Sequence, residues 1–127
     1  VVVDTSGSMS AKQIGMALGS ISSYAAAKDV PFVRIIFCDA KATDAGYMAP
    51  EDIAGRVKVT GRGGTILQPG VDCLEQANDF PKDGPILIIT DGEIENDLKV
   101  SREHAFLLPR GNRLPFRERG EVFYFRE

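Results

Sequence analysis

The chain has 127 residues, 43% hydrophobic and 26% charged, a composition typical of one compact domain with a single core. Its formal net charge of −3 supplies no general attraction for nucleic acid or for an acidic membrane surface, and no apolar run approaches the roughly 20 residues of a membrane span. Cys38 and Cys73 lack metal-type spacing and do not indicate a disulfide framework, so we expect a reduced, cytoplasmic compartment.

Strand-like and helix-like patterns alternate from the first residue onward. Residues 1–3 (VVV) are apolar and β-branched, which predicts a strand buried on both faces. From residue 8 to residue 28, apolar side chains recur at helical spacing and predict an amphipathic helix over a sheet. Residues 32–38 (FVRIIFC) then predict a second buried strand.

The second half of the chain continues this alternation. Residues 40–56 predict a loop with one helical turn around residues 51–56, and residues 57–60 predict a short strand. The glycine-rich stretch GRGGT (residues 61–65) precedes a helix that has Pro69 in its first turn. Three more strands are predicted, at residues 86–89 (ILII), 104–108 (HAFLL) and 121–125 (EVFYF).

This order of elements predicts an α/β fold with three layers, in which helices cover both faces of a doubly wound, mostly parallel sheet. Ligands of such sheets bind beyond the carboxyl ends of the strands, near the point where the strand order reverses. The chain has no initiator methionine and opens inside an apparent strand. We therefore expect residues 1–127 to be a single domain of a longer protein.

Polar residues follow or precede these elements at one edge of the predicted sheet. DTSGSM (residues 4–9) comes directly after the first strand, TDGE (residues 90–93) after a later one, and GRGGT lies before a helix. Because the carboxyl ends of parallel strands share one edge, we expect the side chains of these three stretches to converge.

The converging residues offer only oxygen as a ligand atom. In an extended turn Asp4, Ser6 and Ser8 face the same side, and Thr65 and Asp91 approach from the other two loops. Oxygen ligands suit a hard cation such as Mg²⁺ or Mn²⁺, whereas Zn²⁺ prefers His and Cys. The sequence therefore predicts a divalent metal site.

DTSGSM, GGT and TDG, in this order, resemble the metal-ion-dependent adhesion site of von Willebrand factor A-like (VWA-like) domains, whose pattern is D-x-S-x-S, a threonine and an aspartate. The resemblance extends over nearly the whole chain and implies a Rossmann-like architecture. GGTILQPGVD and ITDGE are most similar to bacterial intracellular members, some of which accompany metallopeptidase or ATPase domains. The implied metal ligands are Asp4, Ser6, Ser8, Thr65 and Asp91.

Family members commonly have full helices between their last strands. Residues 94–103 and 109–120 leave little room for such helices, so we expect the sheet to be shortened at its C-terminal edge.

In the family, an acidic side chain of a protein partner fills the open position on the metal. The resemblance therefore implies a metal-dependent protein-binding module and not an enzyme. Its expected partner offers an acidic residue and is a neighbouring domain, a metallopeptidase or an ATPase; nucleic acid and membrane are not expected. Two aspartates roughly cancel the charge of a divalent ion, and the other ligands are neutral hydroxyls and water, so the ion still attracts a carboxylate.

Three alternatives to this reading stay open. Ser6 or Ser8 could serve only as the cap of the first helix. A Mg²⁺-dependent phosphatase would use Asp4 as its nucleophile, but its pattern needs a second aspartate where Ser6 stands, and a serine hydroxyl does not readily protonate a leaving group. A structural or docking domain without a working metal site could instead use its basic tail, which contains Arg110, Arg113, Arg117 and Arg119.

Three more titratable residues lie near predicted strand ends. Asp39 ends a strand close to the expected site, and Glu93 is expected to be a solvated loop acid. His104 is the only histidine, and without a partner histidine it is expected at the edge of a strand.

Overall fold

The computed structural model describes residues 1–5, 10–53 and 66–125, and within them it contains six strands and three helices. The strands are β1 (Val2–Asp4), β2 (Val33–Cys38), β3 (Ala42–Met48), β4 (Ile86–Ile89), β5 (His104–Pro109) and β6 (Glu121–Phe125). The helices are α1 (Ala11–Ala27), α2 (Pro50–Ile53) and α3 (Gln68–Gln76).

The six strands form one mixed sheet in the order β3-β2-β1-β4-β5-β6. Only β3 runs antiparallel to its neighbour, and the other pairs are parallel. The chain builds outward from β1 to β3, and then returns to place β4 on the other side of β1. The strand order therefore reverses between β1 and β4, which is where sheets of this kind bind ligands. This confirms the predicted mostly parallel α/β class.

Successive residues of β1 point to opposite faces of the sheet and enter two different cores. Val3 packs with Ile14 and Leu18 of α1 on one face. Val2 packs with Val71 and Leu74 of α3 on the other. The predicted covering of both faces by helices is thus confirmed, and it explains why the central strands are apolar at nearly every position.

Helix α3 lies very close to the sheet because it contributes a glycine at the contact. A Cβ atom at Gly70 would lie 2.9 Å from Cγ1 of Val2 and 3.1 Å from Cβ of Cys38. A side chain at this position would push α3 away from β1 and β2, so Gly70 sets the distance between the two layers.

The predicted loop over residues 40–56 is wrong in its first part, because Ala42–Met48 form β3. The sequence ATDAGYM has no apolar alternation, since this edge strand leaves most of its side chains in solvent. Its pairing with β2 contains a register shift between Ile35 and Ile36. Arg34 of β2 also holds Asp44 of β3 in an ion pair. Pairing with β2, which no local pattern encodes, decides that this segment is a strand.

Other expectations fall on segments that the structure describes in part or not at all. Helix α2 begins at Pro50, one residue before the predicted helical turn at residues 51–56, and its described part ends at Ile53. The predicted strand at residues 57–60 and the GRGGT loop lie outside the described residues.

The C-terminal edge is short, as predicted. Residues 90–103 and 110–120 connect parallel strands without forming a helix. In the part of the chain that the structure describes, no helix combines the length and hydropathy required to cross a membrane.

Candidate metal site

A buried hydrogen bond joins the carboxyl ends of β1 and β4. Asp4, the last residue of β1, is fully buried, and its Oδ2 accepts a hydrogen bond of 2.8 Å from Oγ1 of Thr90. The same hydroxyl accepts a hydrogen bond of 3.1 Å from the backbone N of Gly92. Thr90 therefore orients the Asp4 carboxylate and connects it to the TDG turn. Sequence reasoning missed this role, although the position of Thr90 directly after a strand was a usable signal.

Asp91 lies in the turn that follows β4 and is only 5% exposed. Its Oδ1 accepts a hydrogen bond of 3.0 Å from the backbone N of Glu93, two residues on. Its backbone oxygen accepts a hydrogen bond of 2.8 Å from Nδ2 of Asn112. The turn is thus held by its own backbone and by the connection between β5 and β6. Asn112 is a second supporting residue that the sequence did not reveal.

Gly92 is required by the shape of this turn. Its φ of +90° lies in the region that side chains disfavour, and a Cβ atom there would lie 1.9 Å from the backbone oxygen of Arg113. The connection that includes Arg113 therefore packs directly on the backbone of the turn that presents Asp91.

The start of α3 is capped by a carboxylate from another part of the chain. Glu95 accepts hydrogen bonds of 2.9 Å from the backbone N of Leu67 and from that of Gln68. Leu67, at the N-cap position, provides no capping side chain, so Glu95 satisfies donors that the helix leaves open. This contact joins the connection after β4 to the helix that follows Thr65. A partner 27 or 28 residues away leaves no local signal.

The residue that caps α1 tests the alternative in which Ser6 or Ser8 is only a helix cap. Oγ of Ser10 accepts a hydrogen bond of 3.0 Å from the backbone N of Gln13, and Oε1 of Gln13 accepts one of 3.1 Å from the backbone N of Ser10. This reciprocal pair is a capping box. The idea that Ser6 or Ser8 is the cap of the first helix is therefore wrong, because the N-cap is Ser10.

A buried thiol lies beside the site. Cys38 of β2 lies opposite Asp4 in the sheet register. Burial raises the pKa of the Cys38 thiol, and the negative charges of Asp39 and Asp4 raise it further. Its Sγ donates to the backbone oxygen of Ile66 at 3.4 Å. Cys38 is thus a buried neighbour of Asp4 that is hydrogen-bonded to the chain segment before α3.

Of the five predicted ligands, the structure describes two. Asp4 and Asp91 lie at neighbouring strand ends, at the reversal of strand order. Ser6, Ser8 and Thr65 lie outside the described residues. Among the residues that are described, no group of three or more His, Cys, Asp or Glu is placed to hold a metal ion. The predicted ligand set contains only two residues of these four types, Asp4 and Asp91, and its other members are hydroxyls.

The two aspartates match the chemistry of a hard cation. Burial of carboxylate charge is costly unless opposite charge or hydrogen bonds compensate for it. Asp4 and Asp91 are both buried at one edge of the sheet, and a divalent ion there would offset their charge. Carboxylate oxygens are also the protein ligands that Mg²⁺ prefers.

The sheet order, with two aspartates at its reversal, is consistent with the VWA-like α/β architecture that the sequence indicates. The sequence model of the family described as VWA-like domain (DUF2201) matches residues 1–101, which include Asp4 and Asp91, so the chain belongs to this family. This confirms the predicted class. Comparison with curated proteins and comparison with solved structures each gave no match.

Proposed function

We propose that this domain is a protein-binding module that depends on a divalent metal ion, Mg²⁺ or Mn²⁺. The observation that carries the proposal is the pair of buried aspartates, Asp4 and Asp91, at the adjacent carboxyl ends of β1 and β4. The order of strands makes this edge the ligand-binding edge of the sheet. Membership of the VWA-like family supports the same function, because VWA-like domains are commonly protein-interaction modules.

The proposed metal ligands are the two aspartates together with three hydroxyls, those of Ser6, Ser8 and Thr65. Bound there, the ion would supply a positive centre for an acidic side chain of the partner. The aspartates would balance its charge, while neutral hydroxyls would leave it able to attract a further carboxylate. Thr90 would hold the Asp4 carboxylate in one orientation through its 2.8 Å hydrogen bond.

The proposed partner is a protein that exposes an acidic residue, such as a neighbouring domain, a metallopeptidase or an ATPase, in the cytoplasm.

Binding without turnover fits the placement of His104. It is the first residue of β5, and β5 runs parallel to β4. His104 therefore lies at the amino end of the parallel strands, whereas Asp4 and Asp91 lie at their carboxyl ends. It cannot act as a base at that site.

The test is a calorimetric titration of metal-free protein with Mg²⁺ and with Mn²⁺, alone and with acetate present as a stand-in for the partner's carboxylate. We expect binding by the wild type and loss of binding in Asp91→Asn, which keeps the size of the side chain. Glu93→Gln is the matched control, because it removes an equal but exposed charge two residues away and should bind metal normally.

Two results would contradict the proposal. One is the absence of metal binding, with and without acetate, by wild-type protein whose circular dichroism shows it to be folded. The other is Mg²⁺-dependent hydrolysis of a phosphomonoester that Asp4→Asn abolishes, since this would assign the site to catalysis.

A further inference from the structure

A groove of about 500 Å³ lies on the α3 face of the sheet, away from the candidate metal site. Its floor is the first half of β5, and its walls come from the connections on either side of that strand. We call it the basic groove. The lining residues that carry the argument are Lys99, His104, Phe106, Phe116, Arg117 and Arg119, and Asp97 is the acidic residue of the same lining. β5 is parallel to β4, and the groove contains the start of β5. The groove therefore lies toward the amino ends of these strands, whereas Asp91 follows the carboxyl end of β4.

The floor of the basic groove is aromatic. The ring of Phe106 is edge-on to that of His104, with 5.5 Å between their centroids, and lies 5.7 Å from that of Phe116. Nδ1 of His104 is 2.8 Å from the backbone oxygen of Arg102. A carbonyl can only accept, so Nδ1 donates and fixes the imidazole ring. Phe106 is only 1% exposed, so the half-buried rings of His104 and Phe116 form the surface that one apolar side chain of a ligand would contact.

The rim of the groove is positively charged. Lys99, Arg117 and Arg119 are exposed. Both ion pairs in the described residues belong to Arg34, so these three cations have no ion-pair partner within that part of the chain. Residues 99–119 contain six Lys and Arg but only two Asp and Glu, although the whole chain carries a net charge of −3. In the groove itself these three cations face one carboxylate, that of Asp97, so the lining carries an excess of positive charge.

Both walls of the groove are fixed to the rest of the fold. The backbone of Lys99 donates to Oε1 of Gln68 at 2.8 Å and accepts from its Nε2 at 2.9 Å, which attaches one wall to α3. On the other wall, a Cβ atom at Gly120 would lie 2.2 Å from the backbone oxygen of His104. This close approach holds the segment with Arg117 and Arg119 against β5. The groove is therefore formed before any ligand binds.

We propose that the basic groove binds an acidic peptide segment of a partner protein, with one apolar side chain on the aromatic floor and carboxylates on the three cations. The positive charges of the groove favour a ligand that carries negative charges. Single-stranded nucleic acid fits less well, because its binding sites combine a long basic track with exposed ring faces, whereas this groove has three cations and two half-buried rings, those of His104 and Phe116. The proposal does not depend on metal binding, and Arg117 and Arg119 lie outside the matched residues 1–101.

The probes are fluorescein-labelled peptides of the form Glu-Glu-X-Glu-Glu, in which X is Leu, Phe, Tyr or Trp, and the same peptides with Gln in place of Glu. Binding is measured by fluorescence anisotropy in EDTA, which removes any contribution from the proposed metal site. We expect the Glu peptides to bind, the Gln peptides to bind at least about fivefold more weakly, and added salt to weaken binding of the Glu series.

The variant Arg117→Gln/Arg119→Gln should weaken binding of the Glu peptides by at least about fivefold. The matched control is Arg110→Gln/Arg113→Gln. It removes the same charge from the same connection, but at exposed residues that do not line the groove, and it should change binding less than twofold.

Three results would overturn the proposal. They are no binding of any Glu peptide to the wild type, an equal loss in the two double variants, and equal binding of Gln and Glu peptides. Tighter binding of a labelled single-stranded oligonucleotide, lost in Arg117→Gln/Arg119→Gln alone, would assign the groove to nucleic acid instead. Circular dichroism of both double variants shows whether each remains folded.

Discussion

The hydroxyl of Thr90 offers the most direct test of how the two central strand ends are held together. Thr90→Val keeps the size and branching of the side chain but removes its hydroxyl. The variant loses the hydrogen bond from Thr90 to the Asp4 carboxylate and leaves the backbone N of Gly92 without its 3.1 Å acceptor. Asp4 and Thr90 are both fully buried, so water does not replace the lost hydrogen bonds.

The expected cost follows from these two interactions. A hydrogen bond to a charged group contributes about 1.5 to 3 kcal/mol, and a buried donor left unpaired costs about 1 to 3 kcal/mol. Because both bonds share one hydroxyl, we do not add the two ranges and expect a loss of about 3 kcal/mol. Thr90→Ser is the control: it keeps the hydroxyl and loses one methyl group, which should cost about 1 kcal/mol.

The assay is urea unfolding of the two variants beside the wild type, with metal absent. The difference in the free energy of unfolding between Thr90→Val and Thr90→Ser should be about 2 kcal/mol, which corresponds to about 1 M in the urea midpoint. If Thr90→Val is as stable as Thr90→Ser or more so, the hydroxyl does not stabilise the junction of β1 and β4 and the reasoning fails.

Two more predictions concern a turn and the ion pair between buried Arg34 and exposed Asp44. Gly92→Ala should destabilise the domain by at least about 2 kcal/mol more than Gly111→Ala in urea unfolding. Both glycines have positive φ, but only at Gly92 would a Cβ meet backbone, and equal effects would exclude the contact with Arg113 as the cause. Hydrogen bonding from Arg34 lowers the pKa of Asp44 below its ordinary 3.8, so this pair stabilises the fold above pH 3.8 and the contribution is lost as pH falls through the lowered value. Asp44→Asn should be less stable by about 1 to 2 kcal/mol at neutral pH and should unfold with a weaker acid dependence; an unchanged pH profile would contradict this.

The elements that could be predicted are those in which burial imposes a pattern of apolar residues within the element itself. The runs VVV, FVRIIFC and ILII are apolar at nearly every position because strands β1, β2 and β4 are covered on both faces. The stretch from Ala11 to Ala27 repeats apolar residues at helical spacing because only one side of α1 meets the sheet. The edge strand β3 was missed because its side chains are mostly exposed, so burial imposes no pattern on ATDAGYM.

For the candidate site, as for the fold, the sequence indicated only the residues that belong to a local pattern. Asp4 and Asp91 were proposed as ligands because Asp4 directly follows one strand-like run and Asp91 comes one residue after another, and parallel strands bring such positions to one edge. The residues that support them were not recognised. Thr90 reaches Asp4 across 86 positions of sequence, Asn112 reaches Asp91 across 21, and Glu95 reaches Leu67 across 28.

By itself, then, the sequence determined the α/β class, the order of most elements and the placement of two acids at the carboxyl ends of β1 and β4. Each of these depends on whether a residue is buried or exposed within its own strand or helix. Only the tertiary structure decided the pairing of β3, the orientation of Asp4 by Thr90, the cap that Glu95 provides and the basic groove beside β5. These features depend on hydrogen bonds and close approaches between residues far apart in the chain, which no local pattern of hydrophobicity records.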